Sequence, residues 1–446
     1  MGMNGISSTG IGSDAVPAGT RTGDWNFSAV YGLGFLTLVS AFNYLDRSLL
    51  GLALPSMKAE MHISDTALGL ISGLAFLLFY SILGIPIASL ADRYNRRNII
   101  AIGFAFWSCM TLFTGWVANI WQLALTRFLM GAGEACGIAP SNSIISDLFR
   151  AERRPLAFSI FGTAVSIASI LFYPVIGWIG QVHGWRAMFV AAGIPGAFLA
   201  LLFFLTVREP ERGASEARRI ATQNKEGFRT SLSFLIRSRA YLCIVGGATF
   251  MGLNVFAASV WTPTFLTRVH GMTLMEVAAT TGPIRGVFGV AGVLLGGLLI
   301  DRLARRAVHW RMTIAAIACL LAAPVELVFI LADDSRIWLS AYAVSAFLLL
   351  VHQGPVFAAV VSVARLRMRA VATSILLFSS ALIGQALGPL IVGALNDLLH
   401  PSLGDMAIRY SMLIIAVTAA LGGLLLLCAG RFIEADMARA AEADEA

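Results

Sequence analysis

Twelve apolar stretches, each 18 residues or longer, follow one another along this chain of 446 residues. They cover 29–57, 66–91, 98–117, 121–149, 156–181, 185–207, 240–268, 274–300, 310–332, 336–363, 368–397 and 406–431. Each is long enough to cross a hydrocarbon core of about 30 Å. Only 13% of the residues are charged, against roughly 25% in a soluble domain. Lipid must be the solvent for most of the chain. A segment in lipid satisfies its own backbone hydrogen bonds as a helix, and the short alternating pattern of barrel strands is absent from the sequence. The expected class is an all-α membrane protein with twelve transmembrane helices.

The basic residues orient it. With the N-terminus in the cytosol, 24 of the 32 Lys and Arg fall on the cytosolic side, five fall outside and three lie within spans. That bias places both termini in the cytosol. It also explains the net charge of +7 as topology, so no nucleic-acid partner is expected. Residues 1–28 read as a disordered tail without a cleavable signal, and 432–446 as a second cytosolic tail. The polar stretch 208–239 links a bundle at 29–207 to one at 240–431. The five cysteines stand singly inside spans, so neither disulfide nor metal is expected.

The chain repeats itself. Asp92-Arg93-Tyr-Asn-Arg96-Arg97 returns as Asp301-Arg302-Leu-Ala-Arg305-Arg306, and Pro140 to Arg154 returns as Pro355 to Arg369. Two parallel six-helix halves predict a substrate site between them near mid-membrane. The Asp92 and Asp301 turns are expected to work as a cytosolic gate, with Arg93, Arg96, Arg97 and Arg302 pairing with acids such as Asp147. Their carboxylates are expected to dock on helix N-termini across the two halves.

Charges inside the membrane are few and costly. Asn43, Asp46 and Arg47 fall in the first span, Arg127 and Glu134 in the fourth, Arg285 in the eighth and Glu326 near the outer end of the ninth. Arg127 and Glu134 share a face, about 10 Å apart along the axis. Gly131 and Gly133 beside them invite a close neighbour, expected to be the first span, with Asp46 neutralising Arg127. A carboxyl in a dry cavity keeps its proton more readily than one in water. Glu134 is therefore the candidate proton carrier, with Asp46 in its network, and Arg47 and Arg127 are candidate anion holders. Trp261, Phe265, Tyr342, His352, Gln353 and Phe357 are candidates to line the cavity in the second half. The repeat partners of Arg127 and Glu134 are Tyr342 and Leu349, so the second half lacks the charge pair.

These residues resemble the major facilitator superfamily. Leu123, Arg127, Gly131 and Gly133 are similar to its fourth-span motif, and 88–97 to its loop after the second span, with Ala88 and Asn95 in place of two glycines. The fifth-span pattern is kept only in part at Tyr173-Pro174-Val-Ile-Gly177. Within the family, Asn43-Tyr44-Leu45-Asp46-Arg47, Gly131-Ala-Gly133-Glu134-Ala135, Ile145-Ser-Asp147 and Thr206-Val-Arg208-Glu209-Pro210 resemble the bacterial Spinster group.

The resemblance implies a monomeric, cofactor-free transporter in the bacterial inner membrane. It would move lysophospholipids or sphingolipid-like anions by alternating access with proton coupling. Asn43, Arg47, Arg127, Glu134, Arg285, Tyr342 and Trp261 would meet the substrate. The anion:cation symporter group has a similar first-span motif and implies a small organic anion instead. No enzyme is expected: neither lysine follows a glycine, and no histidine precedes a glutamate, so phosphate-loop and zinc-protease motifs are both absent.

Overall fold

Asn26 opens the first helix by accepting the Ala29 N–H, and the helix then runs over Phe27–Met61. Ser64, Asn95, Asn119 and Ser238 start later helices in the same way, because short polar side chains satisfy the orphan N–H groups of a first turn. The protein is seen in a computed structural model that describes residues 25–150, 152–212, 228–304, 307 and 309–445. Ten helical segments among these are long and apolar enough to cross a bilayer. The last of them, 366–444, is 79 residues long and holds two crossings.

One further crossing is interrupted: Ile120–Glu134 and Ile138–Leu148 are joined by a tight turn. Pro140, which has no N–H to continue the ladder, accounts for the break. The twelve spans in chain order are Phe27–Met61, Asp65–Arg93, Arg96–Thr114, the broken pair, Arg154–His183, Trp185–Thr206, Arg239–His270, Leu274–Ala304, Trp310–Leu331, Ser335–Ser362, 369–403 and Leu413–Glu445.

The expected C-terminal tail is helical over most of its length. Residues 432–445 continue span 12 as helix. Asp436 accepts from Ser238 Oγ and the Ala240 N–H at the start of span 7, and Asp444 accepts the Leu366 N–H. Of the linker, Phe228–Ile236 is a short helix and 213–227 lie outside the described residues. So does almost all of the expected N-terminal tail, though Trp25 packs on Phe149 at 4.9 Å.

The two halves share one core, and each also keeps a large cluster of its own. Leu49, Leu52 and Leu68 of spans 1 and 2 belong to one cluster with Trp261, Phe265 and Val392 of spans 7 and 11. Toward the termini the cores separate, with Phe104, Trp107 and Phe149 in one half and Tyr241, Val360 and Leu376 in the other.

Glycines make the shared seam tight. A Cβ on Gly69 or Gly73 of span 2 would strike the Pro389 or Gln385 carbonyl of span 11, and one on Gly282 of span 8 the Ser169 carbonyl of span 5. Small residues permit such backbone approach. Spans 2, 5 and 11 also each carry a π turn, at Ile71–Ala75, Ala168–Phe172 and Ser379–Ile383. No hydrogen bond between described residues joins the halves on the side that bears the termini. Among the described residues, the close contacts between the halves lie toward the side away from the termini, where the start of span 2 packs on span 11 and span 5 on span 8.

Candidate functional site

The break in span 4 falls directly after Glu134. Glu134 is fully buried, and its Oε2 accepts from Arg47 Nε at 2.8 Å. Arg47 is the half-open member of the cluster, and its guanidinium lies over Phe76 at 4.9 Å and Tyr80 at 5.2 Å. Arg127 is buried behind it, 5.6 Å from the same Phe76 ring. Among the described residues Arg127 has no carboxylate within bonding distance; its Nη1 meets Met130 Sδ at 3.1 Å. Asp46 is buried beside Thr111 and Trp107 of span 3 and acts on Arg127 and Glu134 through space.

Two expectations need correction here. The close neighbour of the span 4 glycines is not the first span. A Cβ on Gly131 would strike the Phe76 carbonyl of span 2, and one on Gly133 would lie 2.9 Å from Trp107 Cβ of span 3. Span 1 reaches Glu134 through the side chains of Arg47 and Asn43. Asp46 also makes no ion pair with Arg127 and acts on it only through space. Two helical turns hold Arg127 and Glu134 too far apart to bond directly, and Arg47 takes the carboxylate.

The cluster is under-satisfied. Asn43 Nδ2, Asp46 Oδ1, Arg47 Nη2, Arg127 Nε, Glu134 Oε1 and Trp107 Nε1 are buried with no partner at good hydrogen-bond geometry, although Asn43 stands beside Glu134 and Trp107 beside Asp46. Native interiors leave few such atoms. Six in one place mark a site built to bond with something further, or to rearrange.

The second-half candidates divide. Arg285 is exposed on span 8, within electrostatic reach of Tyr173 and Tyr342, so two of the expected site residues come together. Trp261 departs from expectation: it is fully buried and donates its indole N–H to the Pro389 carbonyl at 2.8 Å. It holds the seam and lines no opening. Phe265 and His352 are buried as well, while Gln353 and Phe357 are exposed.

On the side of the termini, Arg96 is a hub. It pairs with Asp147, with Glu209 at 2.7 Å and with Ser143 Oγ at 2.8 Å. The Arg97 N–H donates to Glu209 at 2.8 Å. Arg212 donates to the carbonyls of Ala91 and Tyr94, at 2.7 and 2.6 Å, and to that of Asp92. All of these bonds stay within the first half and the start of the linker. Asp92, Arg93 and Arg302 are exposed, and no hydrogen bond among the described residues joins Asp92 to the other half. The Asp301 side chain lies outside the described residues. Replacing Arg96 by Ala takes the shared guanidinium from Asp147 and Glu209, and removing one partner of a buried pair costs on the order of 3 kcal/mol. A fall in the thermal midpoint of the purified protein would show it, and Arg96→Lys is expected to recover only part, since one ammonium cannot serve the same fork.

The side away from the termini holds a cluster that the sequence reading missed. Asp65, at the start of span 2, is fully buried. It accepts from Lys58 Nζ at 2.7 Å, from Arg268 of span 7 at 2.9 and 3.1 Å, and from Asn396 of span 11. Asp397 of span 11 accepts the N–H groups of Asp65 and Thr66 at 3.0 and 2.7 Å, and the Thr66 hydroxyl at 2.6 Å. A signal was present. Only five basic residues lie outside in the expected topology, and Lys58, Arg186, Arg268 and Arg409 all carry carboxylate partners.

A family model described as Major Facilitator Superfamily matches residues 36–389. A protein of Mycolicibacterium smegmatis named an MFS-type efflux pump is 30% identical over 88% of this chain and 90% of its own. Human Protein spinster homolog 1 is 31% identical over 91% of this chain and 81% of its own. The crystal structure of a bacterial homologue of the human lysosomal transporter Spinster, inward-facing and unoccupied, matches with a TM-score of 0.81 at 26% identity, over 93% of this chain and 99% of that one.

Proposed function

The chain belongs to the Major Facilitator Superfamily, and within that family we propose that it moves an anionic amphiphile of the lysophospholipid or sphingolipid kind, coupled to protons, by alternating access. It is a multi-pass membrane transporter. We place it in the bacterial inner membrane with both termini cytosolic, so the close contacts between the halves lie toward the outer side. We take the monomer as the working unit.

One observation carries the reading: the buried, under-satisfied group of Asp46, Arg47, Arg127 and Glu134. A proton on Glu134 ends its charge pairing with Arg47. The freed guanidinium, held over Phe76 and Tyr80, is then available to an anionic head. Arg285 and Tyr342 contribute from the other half, and the apolar lining takes the tail. Asp92, Arg93, Arg96, Arg97, Asp147, Asp301 and Arg302 serve the cytosolic gate. The Asp65 cluster is the lock of the outer one, since its bonds cross between the halves and must break when that side opens.

The test is uptake into liposomes under an imposed pH gradient, with labelled lysolipid compared against labelled aromatic and sugar acids. Gradient-dependent lysolipid flux is the expected result. Flux of a small organic acid with none of any lipid would replace this substrate by the symporter reading.

A further inference from the structure

Glu326 is a second buried carboxyl, and nothing in the proposed transport cycle uses it. The sequence put it near the outer end of span 9, within reach of water. The structure shuts it in at 1% exposure. Asn254 Nδ2 of span 7 donates to both carboxylate oxygens at 3.0 Å and to the Ile415 carbonyl of span 12 at 2.8 Å. Ser345 Oγ of span 10 stands 3.5 Å from Oε1. Asn254 Oδ1 is buried without a partner. Four helices of the second half thus converge on one carboxyl.

We propose that Glu326, Asn254 and Ser345 form a proton-binding site of the second half, separate from the Glu134 network, and that Glu326 is a carboxylic acid in the packing seen here. No cation lies within ion-pair distance of it among the described residues. Span 7 offers Asn254, span 10 offers Ser345, and span 12 offers the Ile415 carbonyl, already bonded to the Thr418 hydroxyl. Cys319, two turns back on span 9, is the titratable group that feels its charge. An ionised carboxylate enclosed in this way keeps one amide donor and one long hydroxyl contact against a desolvation penalty of several kcal/mol. Binding one proton removes the charge.

The acid is accommodated without moving the backbone. Its O–H faces Ser345 Oγ, whose own hydrogen turns away. Protonation is therefore linked to the packing of spans 7, 9, 10 and 12.

The sign follows from linkage. The folded second half holds a proton that the unfolded chain releases at neutral pH, so stability falls as pH rises. Infrared difference spectra of wild type against Glu326→Gln, taken on purified protein at neutral pH, read the site directly. The expected result is loss of a protonated-carboxyl C=O band in the variant. Loss of an ionised-carboxylate band instead would overturn the proposal. Thermal midpoints give the second readout. Glu326→Gln should match wild type at neutral pH and lose less on raising the pH, whereas Glu326→Ala should melt lower at every pH. Equal pH dependence in wild type and Glu326→Gln would also overturn it. Neither measurement depends on transport.

Discussion

Glu134→Gln is expected to leave the protein folded but unable to accumulate substrate against a gradient. The amide keeps the size and place of the carboxyl and removes its titration. In the wild type, charge holds Glu134 to Arg47 at 2.8 Å, and charge-assisted hydrogen bonds are worth roughly 1.5–3 kcal/mol. Removing that hold shifts the balance between a paired and a free Arg47 by about ten- to hundredfold. The variant is fixed close to the protonated arrangement. Exchange of labelled for unlabelled substrate at equal concentrations needs no proton cycle and should persist. Uptake driven by a pH gradient should fall to the level of empty liposomes. Gradient-driven uptake that survives the substitution would move the coupling role to Asp46, the other buried carboxyl of the group. Arg47→Lys separates the functions: the ammonium still neutralises Glu134 but loses the planar fork, so substrate affinity should fall while coupling remains.

The membrane class, the twelve crossings and the duplicated halves were legible because they rest on composition and on residues repeated at fixed offsets. Lipid enforces these signals over long stretches. The members of the charged group were legible for the same reason, since a charge deep in an apolar run stands out. Their pairing was not. Whether Glu134 meets Arg127 or Arg47 depends on where the helix breaks and which glycine faces which span. Gly131 against Phe76 and Gly133 against Trp107 are tertiary facts that local spacing does not carry. Trp261 shows the opposite error: an aromatic beside a suspected cavity reads the same in sequence whether it faces the opening or, as here, the Pro389 carbonyl. The Asp65 cluster escaped because its members come from Lys58, Arg268 and Asn396, which no repeat or motif connects.

That cluster yields a prediction in which the sign matters more than the size. Asp65→Asn leaves Lys58 and Arg268, cations of opposite halves, facing each other across the closed seam. Breaking a buried pair by removing one partner costs about 3–5 kcal/mol, and the closed arrangement bears the larger share, because only there does Arg268 reach Asp65. Even the lower figure is a shift of roughly a hundredfold in a two-state equilibrium. The outer side should open, read as a longer distance between spin labels placed on the outer ends of spans 1 and 7. Arg268→Ala should act in the same direction, since it removes the bonds at 2.9 and 3.1 Å that cross between halves. Lys58→Ala should act in the opposite direction. Lys58 and Asp65 belong to the same half, so they remain together when the seam opens. Without Lys58, Asp65 keeps Arg268 in the closed state and has no cation in the open one. Closure is then favoured, and the label distance should shorten or stay at its closed value. If Lys58→Ala opened the outer side as Asp65→Asn does, the cluster would be a general brace and not a lock with one bolt in each half.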